Sequence, residues 1–109
     1  MKKLLLSLLP LVFGANIACA EDIPTVRLEA KDGIFKPVRL AVPAGKRVMI
    51  EIHNIGRTPI EFESTELRKE KSLSPGSSSF VVVSPLSPGE YKFFDDFHPN
   101  SGKGVIVAK

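Results

Sequence analysis

Between Lys46 and Asn54 the chain repeats with a period of two: Val48, Ile50 and Ile52 fall on one side, and Met49, Glu51 and His53 on the other. Successive side chains of a strand point to opposite faces, whereas a helix repeats every 3.6 residues, so this segment suits a half-buried strand and no helix. Shorter pieces carry the same signature. Thr25 to Ala30 sets Val26, Leu28 and Ala30 against Thr25, Arg27 and Glu29, and Val38, Leu40 and Val42 alternate with Arg39 and Ala41. Ile60 and Phe62 alternate with Glu61 and Glu63 within Thr58 to Glu63, and Phe80 and Val82 alternate with Val81 and Val83 within Ser79 to Ser84. Asp32-Gly33, Pro43-Ala44-Gly45, Ser74-Pro75-Gly76 and Pro85-Leu86-Ser87-Pro88-Gly89 have turn compositions and separate these runs. Ile34 and Phe35 supply a short apolar contact before Lys36-Pro37, and the highly charged Ser64 to Lys71 reads as a loop or one helical turn. Tyr91 to Phe94 and Val105 to Val107 flank a loop that holds Asp95, Asp96 and His98, which reads as a hairpin. About seven short strands with turn residues between them predict an all-β fold, an antiparallel Greek-key β-sandwich or barrel.

A chain of 109 residues has room for one domain. Residues 1–20 read as an export signal: Lys2 and Lys3, an apolar run from Leu4 to about Phe13, then the small-x-small pattern Ala18-Cys19-Ala20. Cleavage is expected after Ala20, leaving a periplasmic domain at 21–109; the run is too short to span a bilayer comfortably. Lipoprotein anchoring through Cys19 is the disfavoured alternative, because Asn16 stands where an aliphatic residue is expected. Loss of Lys2 and Lys3 lowers the formal net charge from +3 to +1, which removes the main argument for nucleic-acid binding. The single cysteine leaves with the signal, and disulfide or thiolate chemistry leaves with it. Ser77, Ser78 and Ser79 have no histidine beside them in sequence, and Ser101-Gly102-Lys103-Gly104 is too short for a phosphate loop, so hydrolase and nucleotide chemistry are not expected.

The order Phe35-Lys36-Pro37, Val42-Pro43-Ala44-Gly45, Asn54, Thr58-Pro59-Ile60-Glu61-Phe62-Glu63, Ser74-Pro75-Gly76, Pro88-Gly89-Glu90-Tyr91 and His98 resembles the cupredoxin-like domain family across nearly all of 21–109. Within that family the chain is similar to the EfeO type associated with bacterial iron uptake, where an E-F-E strand is followed by a charged segment and a P-G turn. Glu66 to Lys71 and Phe94 to Pro99 resemble the small periplasmic cupredoxin-like component of ferrous-iron transport systems. The resemblance implies a periplasmic binder of an iron or copper ion that assists ferrous-iron uptake beside a periplasmic iron-binding protein and an inner-membrane iron permease. Blue-copper proteins hold their metal with two His, a Cys thiolate and a weak axial Met. By the resemblance Ile60 takes the place of the first His, Asp95 that of the Cys, and Lys103 falls near that of the Met, so only His98 remains. A blue-copper electron carrier is therefore rejected.

The candidate metal ligands are His98, Asp96 and Asp95 in the hairpin loop, Glu61 and Glu63 on one strand face, and Glu66 in the segment that follows. Glu61 and Glu63 point the same way and end near the loop if the cupredoxin topology holds. Carboxylates with one imidazole suit Fe(II), Fe(III), Mn(II) or Cu(II) better than Cu(I), since hard cations prefer oxygen donors. Anionic ligands also favour the higher oxidation state, which makes ferroxidase-type activity the enzymatic form of this reading. Each residue has a plainer role as well. His98 before Pro99 would lock a turn, Asp95 and Asp96 would cap backbone N–H groups, Glu61 and Glu63 would form a solvated strand face, and Glu66 to Lys71 a salt-bridged turn. With those roles throughout, the domain is a metal-free docking module for a membrane transporter component. His53 and Met49 read as surface residues away from the loop, and Phe93, Phe94 and Phe97 as core and loop anchors. A metal-bridged homodimer is compatible with this ligand set.

Overall fold

The computed structural model describes residues 22–109, so the expected export signal, Cys19 and the cleavage point after Ala20 lie outside the described residues. Nine strands follow in order: β1 (Thr25–Lys31), β2 (Ile34–Lys36), β3 (Arg39–Val42), β4 (Val48–Asn54), β5 (Ile60–Ser64), β6 (Lys69–Leu73), β7 (Ser78–Val83), β8 (Gly89–Asp95) and β9 (Lys103–Ala108). They form a four-stranded sheet in the order β2-β1-β4-β7 and a five-stranded sheet in the order β3-β9-β8-β5-β6. The two sheets pack face to face as an all-β sandwich. Among the described residues no helix is long and apolar enough to cross a membrane.

The period-two reading translates directly into burial. In β4, Val48, Ile50, Ile52 and Asn54 are buried while Met49, Glu51 and His53 are half-exposed. Leu28 and Ala30 of β1, Val81 and Val83 of β7, and Leu40, Ile60, Phe62, Phe93 and Ile106 of the other sheet complete the core. Three phenylalanines fasten the layers together: Phe35 meets Phe93 edge-on at 5.1 Å between ring centroids, and Phe62 lies 5.3 Å from Phe93. Phe93 is the buried anchor expected of it, whereas Phe94 is half-buried on the outer side and Phe97 is exposed.

Five of the seven strand pairings are antiparallel, while β1 with β4 and β3 with β9 run parallel. The parallel pairs arise because β2 and β3, consecutive in sequence, belong to different sheets. The N-terminal segment thereby lays one strand against each half of the molecule, pairing with strands far along the chain.

The segment Ser64 to Lys71 departs from the expected loop or helical turn. Only Thr65–Arg68 forms a turn, with Arg68 at a positive φ of 57°, and Lys69 already begins β6. Charge on both sides of Lys69-Glu70-Lys71 hid the strand, because β6 is a sheet edge whose two faces both reach water. Lys69 and Lys71 share the side of buried Leu73, a placement of charge that discourages pairing with another chain.

Truncation of Phe62, a fully buried member of the aromatic trio, is expected to cost about 3–5 kcal/mol as Phe62→Ala. Urea unfolding checks it, and a loss under about 1 kcal/mol would mean the sandwich is not held by this packing.

Candidate metal centre

Two separate arrangements occupy the region where β5, β6 and β8 meet. The first is built on Asp95, the last residue of β8, whose side chain points inward by the alternation that buries Phe93. Its Oδ1 accepts the backbone N–H of Glu61 at 2.9 Å and that of Phe97 at 3.0 Å, and its Oδ2 accepts from His98 Nδ1 at 2.7 Å. Backbone bonds close the loop around it, from Asp95 N to Gly102 O at 2.7 Å and from Gly102 N to His98 O at 2.8 Å. Close approach to Asp95 and His98 requires glycine at two points. A Cβ at Gly102 would lie 2.6 Å from Asp95 Cβ, and one at Gly33 would lie 2.8 Å from the His98 ring.

A carboxylate can only accept, so this network assigns the His98 proton to Nδ1 and leaves the Nε2 lone pair free. Among the described residues Nε2 has no hydrogen-bond partner, and it reaches solvent. Asp95 itself is 1% exposed and already accepts three hydrogen bonds, so its task is to hold the loop and orient the imidazole. Glu66 is committed in the same way, its Oε1 accepting the Lys92 N–H at 2.6 Å while Ser64 Oγ donates to Lys92 O at 2.7 Å. Together they serve the stretch of β8 beyond its short pairing with β5, which covers only Phe62 with Asp95 and Glu63 with Phe94.

The second arrangement lies on the outer face of the five-stranded sheet. Glu63 stands directly across from Glu70 in the β5–β6 register, and Glu61 is two residues along the same face. One carboxylate oxygen from each of Glu61, Glu63 and Glu70 lies within 4.8 Å of the other two. Asp96, just beyond β8, donates its backbone N–H to Glu61 O at 2.9 Å, and its carboxyl group acts on that of Glu61. Partial burial, followed by the charges of Glu70, Asp96 and Glu63 and the bond to Asp96, raises the Glu61 carboxyl above its ordinary value of 4.5.

Of the six expected ligands, the fold thus brings Glu61 and Glu63 together, sets Asp96 against Glu61, and leaves His98 with Asp95 outside the trio. Glu66 faces β8. Glu70 joins the cluster although the sequence reading placed it in a solvated turn. Its signal was present in the alternation of Lys69, Lys71 and Leu73 with Glu70 and Ser72, which only the β5–β6 register turns into a contact.

A copper–thiolate centre does not fit these residues. Ile60 is a fully buried core side chain, Asp95 is occupied by hydrogen bonds, and Lys103 is exposed. The oxygen-rich trio instead suits a hard cation, whose charge would relieve the repulsion among the carboxylates.

Comparison with known proteins places the chain. Residues 4–108 match the family model of the Cupredoxin-like domain. The chain is 37% identical over 88 residues to Uncharacterized protein RP394 of Rickettsia prowazekii (strain Madrid E), an alignment covering 81% of this chain and 70% of that protein. It is 34% identical over 107 residues to Iron uptake system component EfeO of Yersinia pseudotuberculosis serotype I (strain IP32953), covering 94% of this chain and 28% of EfeO. The chain therefore spans less than a third of that EfeO relative. The solved purple cupredoxin from Nitrosopumilus maritimus, 18% identical, superposes with a TM-score of 0.59 over 77% of this chain and 99% of its own, a likeness of fold.

Removal of the Asp95 carboxylate leaves two N–H groups and the His98 ring without their acceptor, so Asp95→Ala is expected to cost about 3 kcal/mol or more in urea unfolding. A cost under about 0.5 kcal/mol would contradict the role given to it. For Glu61 the folded state favours the protonated form. Its contribution is therefore unfavourable at neutral pH and vanishes below 4.5, where both states are protonated. Glu61→Gln should raise the melting temperature at neutral pH in metal-free buffer, and the gain should shrink on acidification toward 4.5; a lowered melting temperature at neutral pH would contradict this.

The chain belongs to the cupredoxin-like domain family.

Proposed function

We propose that this domain is a periplasmic metal-handling component of iron uptake that takes iron as its cargo on the outer face of the five-stranded sheet. The observation that carries the reading is the convergence of Glu61, Glu63 and Glu70, with one oxygen each within 4.8 Å of the others. Likeness to an iron uptake component supports iron over other hard cations. In this reading Glu61, Glu63 and Glu70 bind, and Asp96 supplies a fourth carboxylate beside Glu61. Binding requires the ionised Glu61 carboxylate, whose neighbours favour its protonated form, so affinity falls as the pH drops.

Asp95 and Glu66 position rather than ligate: Asp95 holds the Glu61 N–H of β5, and Glu66 holds the Lys92 N–H of the neighbouring β8. His98 presents Nε2 at the tip of the same loop, as the imidazole nearest in sequence to Asp96. An all-oxygen set on an open sheet face binds and releases a hard cation quickly, which suits delivery to the iron-binding protein or permease of such a system. Dioxygen uptake on mixing with Fe(II) distinguishes an oxidase from a carrier.

Anaerobic calorimetry with Fe(II), and with Mn(II) as a redox-inert hard cation, tests the reading. Binding at micromolar Kd, about 8 kcal/mol, is expected, with Glu63→Gln and Glu70→Gln each weakening it at least tenfold. Glu90→Gln, which removes only the surface ion pair with Arg39, should leave it unchanged. A flat titration, or affinity indifferent to Glu63 and Glu70, would point to the metal-free docking module instead.

A further inference from the structure

The outer face of the four-stranded sheet, on the opposite side of the sandwich, carries a donor pair of different chemistry. Glu51 and His53 are two residues apart on β4 and project the same way, with Ser78 of β7 directly across from His53. His53 Nε2 lies 3.2 Å from Glu51 Oε1, and His53 Nδ1 lies 2.7 Å from Ser78 Oγ. Both remain open to solvent, with 21% of the His53 side chain and 46% of the Glu51 side chain exposed. Together with Met49, Ser79 and Phe80 they line a shallow hollow of about 280 Å³.

The separation of the two donor atoms is the informative quantity. Bonds of roughly 2.0–2.2 Å to one cation, with ligands 3.2 Å apart, subtend about 100°, an angle between the octahedral and tetrahedral values. A strand provides that spacing because residues two apart share a face. A ligating histidine also needs its other ring nitrogen held by a hydrogen-bond acceptor, and the Ser78 hydroxyl can accept from Nδ1–H, turning the Nε2 lone pair toward Glu51. The cation that could otherwise neutralise Glu51 is engaged elsewhere. Arg27, across from Glu51 on β1, pairs with Glu29 at 2.9 Å.

We propose that Glu51 and His53 form a two-point site for a borderline divalent cation of the Zn(II) and Cu(II) class, with Ser78 as its positioning residue. Imidazole nitrogen beside a carboxylate selects this class over the hard cations suited to the acidic face, and the Met49 thioether in the same hollow adds to that preference. The two sites share no residue and lie on opposite sheets.

The test uses the protein carrying Glu61→Gln and Glu63→Gln, so that the acidic face is removed, titrated with ZnCl2 while the histidine ring nitrogens are followed by NMR. One equivalent of Zn(II) is expected to move the His53 Nε2 signal. In the same background His53→Ala and the isosteric Glu51→Gln each weaken binding at least tenfold, and Ser78→Ala weakens it about threefold, while the amide spectrum reports an intact fold. His53 signals unmoved at about 1 mM Zn(II), shifts confined to His98, or a Kd unchanged by Glu51→Gln would each overturn the proposal. Because the acidic face is absent from this background, failure here is distinguishable from failure of the iron-binding reading.

Discussion

The hydrogen bond from the Glu61 N–H to the buried carboxylate of Asp95 is the constraint on which the remaining arrangement depends. It pins the start of β5 to the end of β8 and so fixes which residues of β5 face inward. A slip of one residue would send Phe62 to solvent and the two glutamates into the core, because strand side chains alternate without exception. With the register held, Phe62 meets Phe35 and Phe93 inside, and Glu61 and Glu63 meet Glu70 outside. Packing and ligand geometry are thus two consequences of one local bond.

The same bond accounts for a buried carboxylate at the end of β8, the position the sequence resemblance compares with a copper protein's thiolate. Asp95 serves backbone satisfaction, accepting two N–H groups and the His98 ring while itself 1% exposed. Burying a carboxylate is costly unless such partners are present, and here three are. In the proposed reading a hard cation is taken instead on an open sheet face, where oxygen donors remain hydrated and exchange is fast.

Much of this fold was legible in the residue pattern. The β4 alternation of Val48, Ile50 and Ile52 with Met49, Glu51 and His53 translates into burial residue by residue, and the Pro and Gly clusters fall between strands. The edge strand β6 was not legible, since Lys69 to Ser72 is polar on both faces and an edge imposes no apolar alternation. Asp95 was recognisable as an acceptor for N–H groups of its own loop, but its reach to the Glu61 N–H of β5, and that of Glu66 to the Lys92 N–H, were not, because they depend on which N–H groups the tertiary structure leaves unpaired. Glu70 became visible only through register, a long-range property that composition does not carry. The β4 face shows the converse, with His53 and Glu51 spaced for chelation in sequence while the partner that orients the ring, Ser78, lies 25 residues away.

Paramagnetic broadening by Mn(II) tests the central claim most directly, because it locates a bound hard cation without altering the protein. Substoichiometric Mn(II) added to the 15N-labelled protein should broaden the amides of Glu61, Phe62, Glu63, Glu70 and Asp96 first, leaving those of β1, β4 and β7 sharp. Broadening centred on another surface, or uniform loss of signal without a centre, would contradict the account.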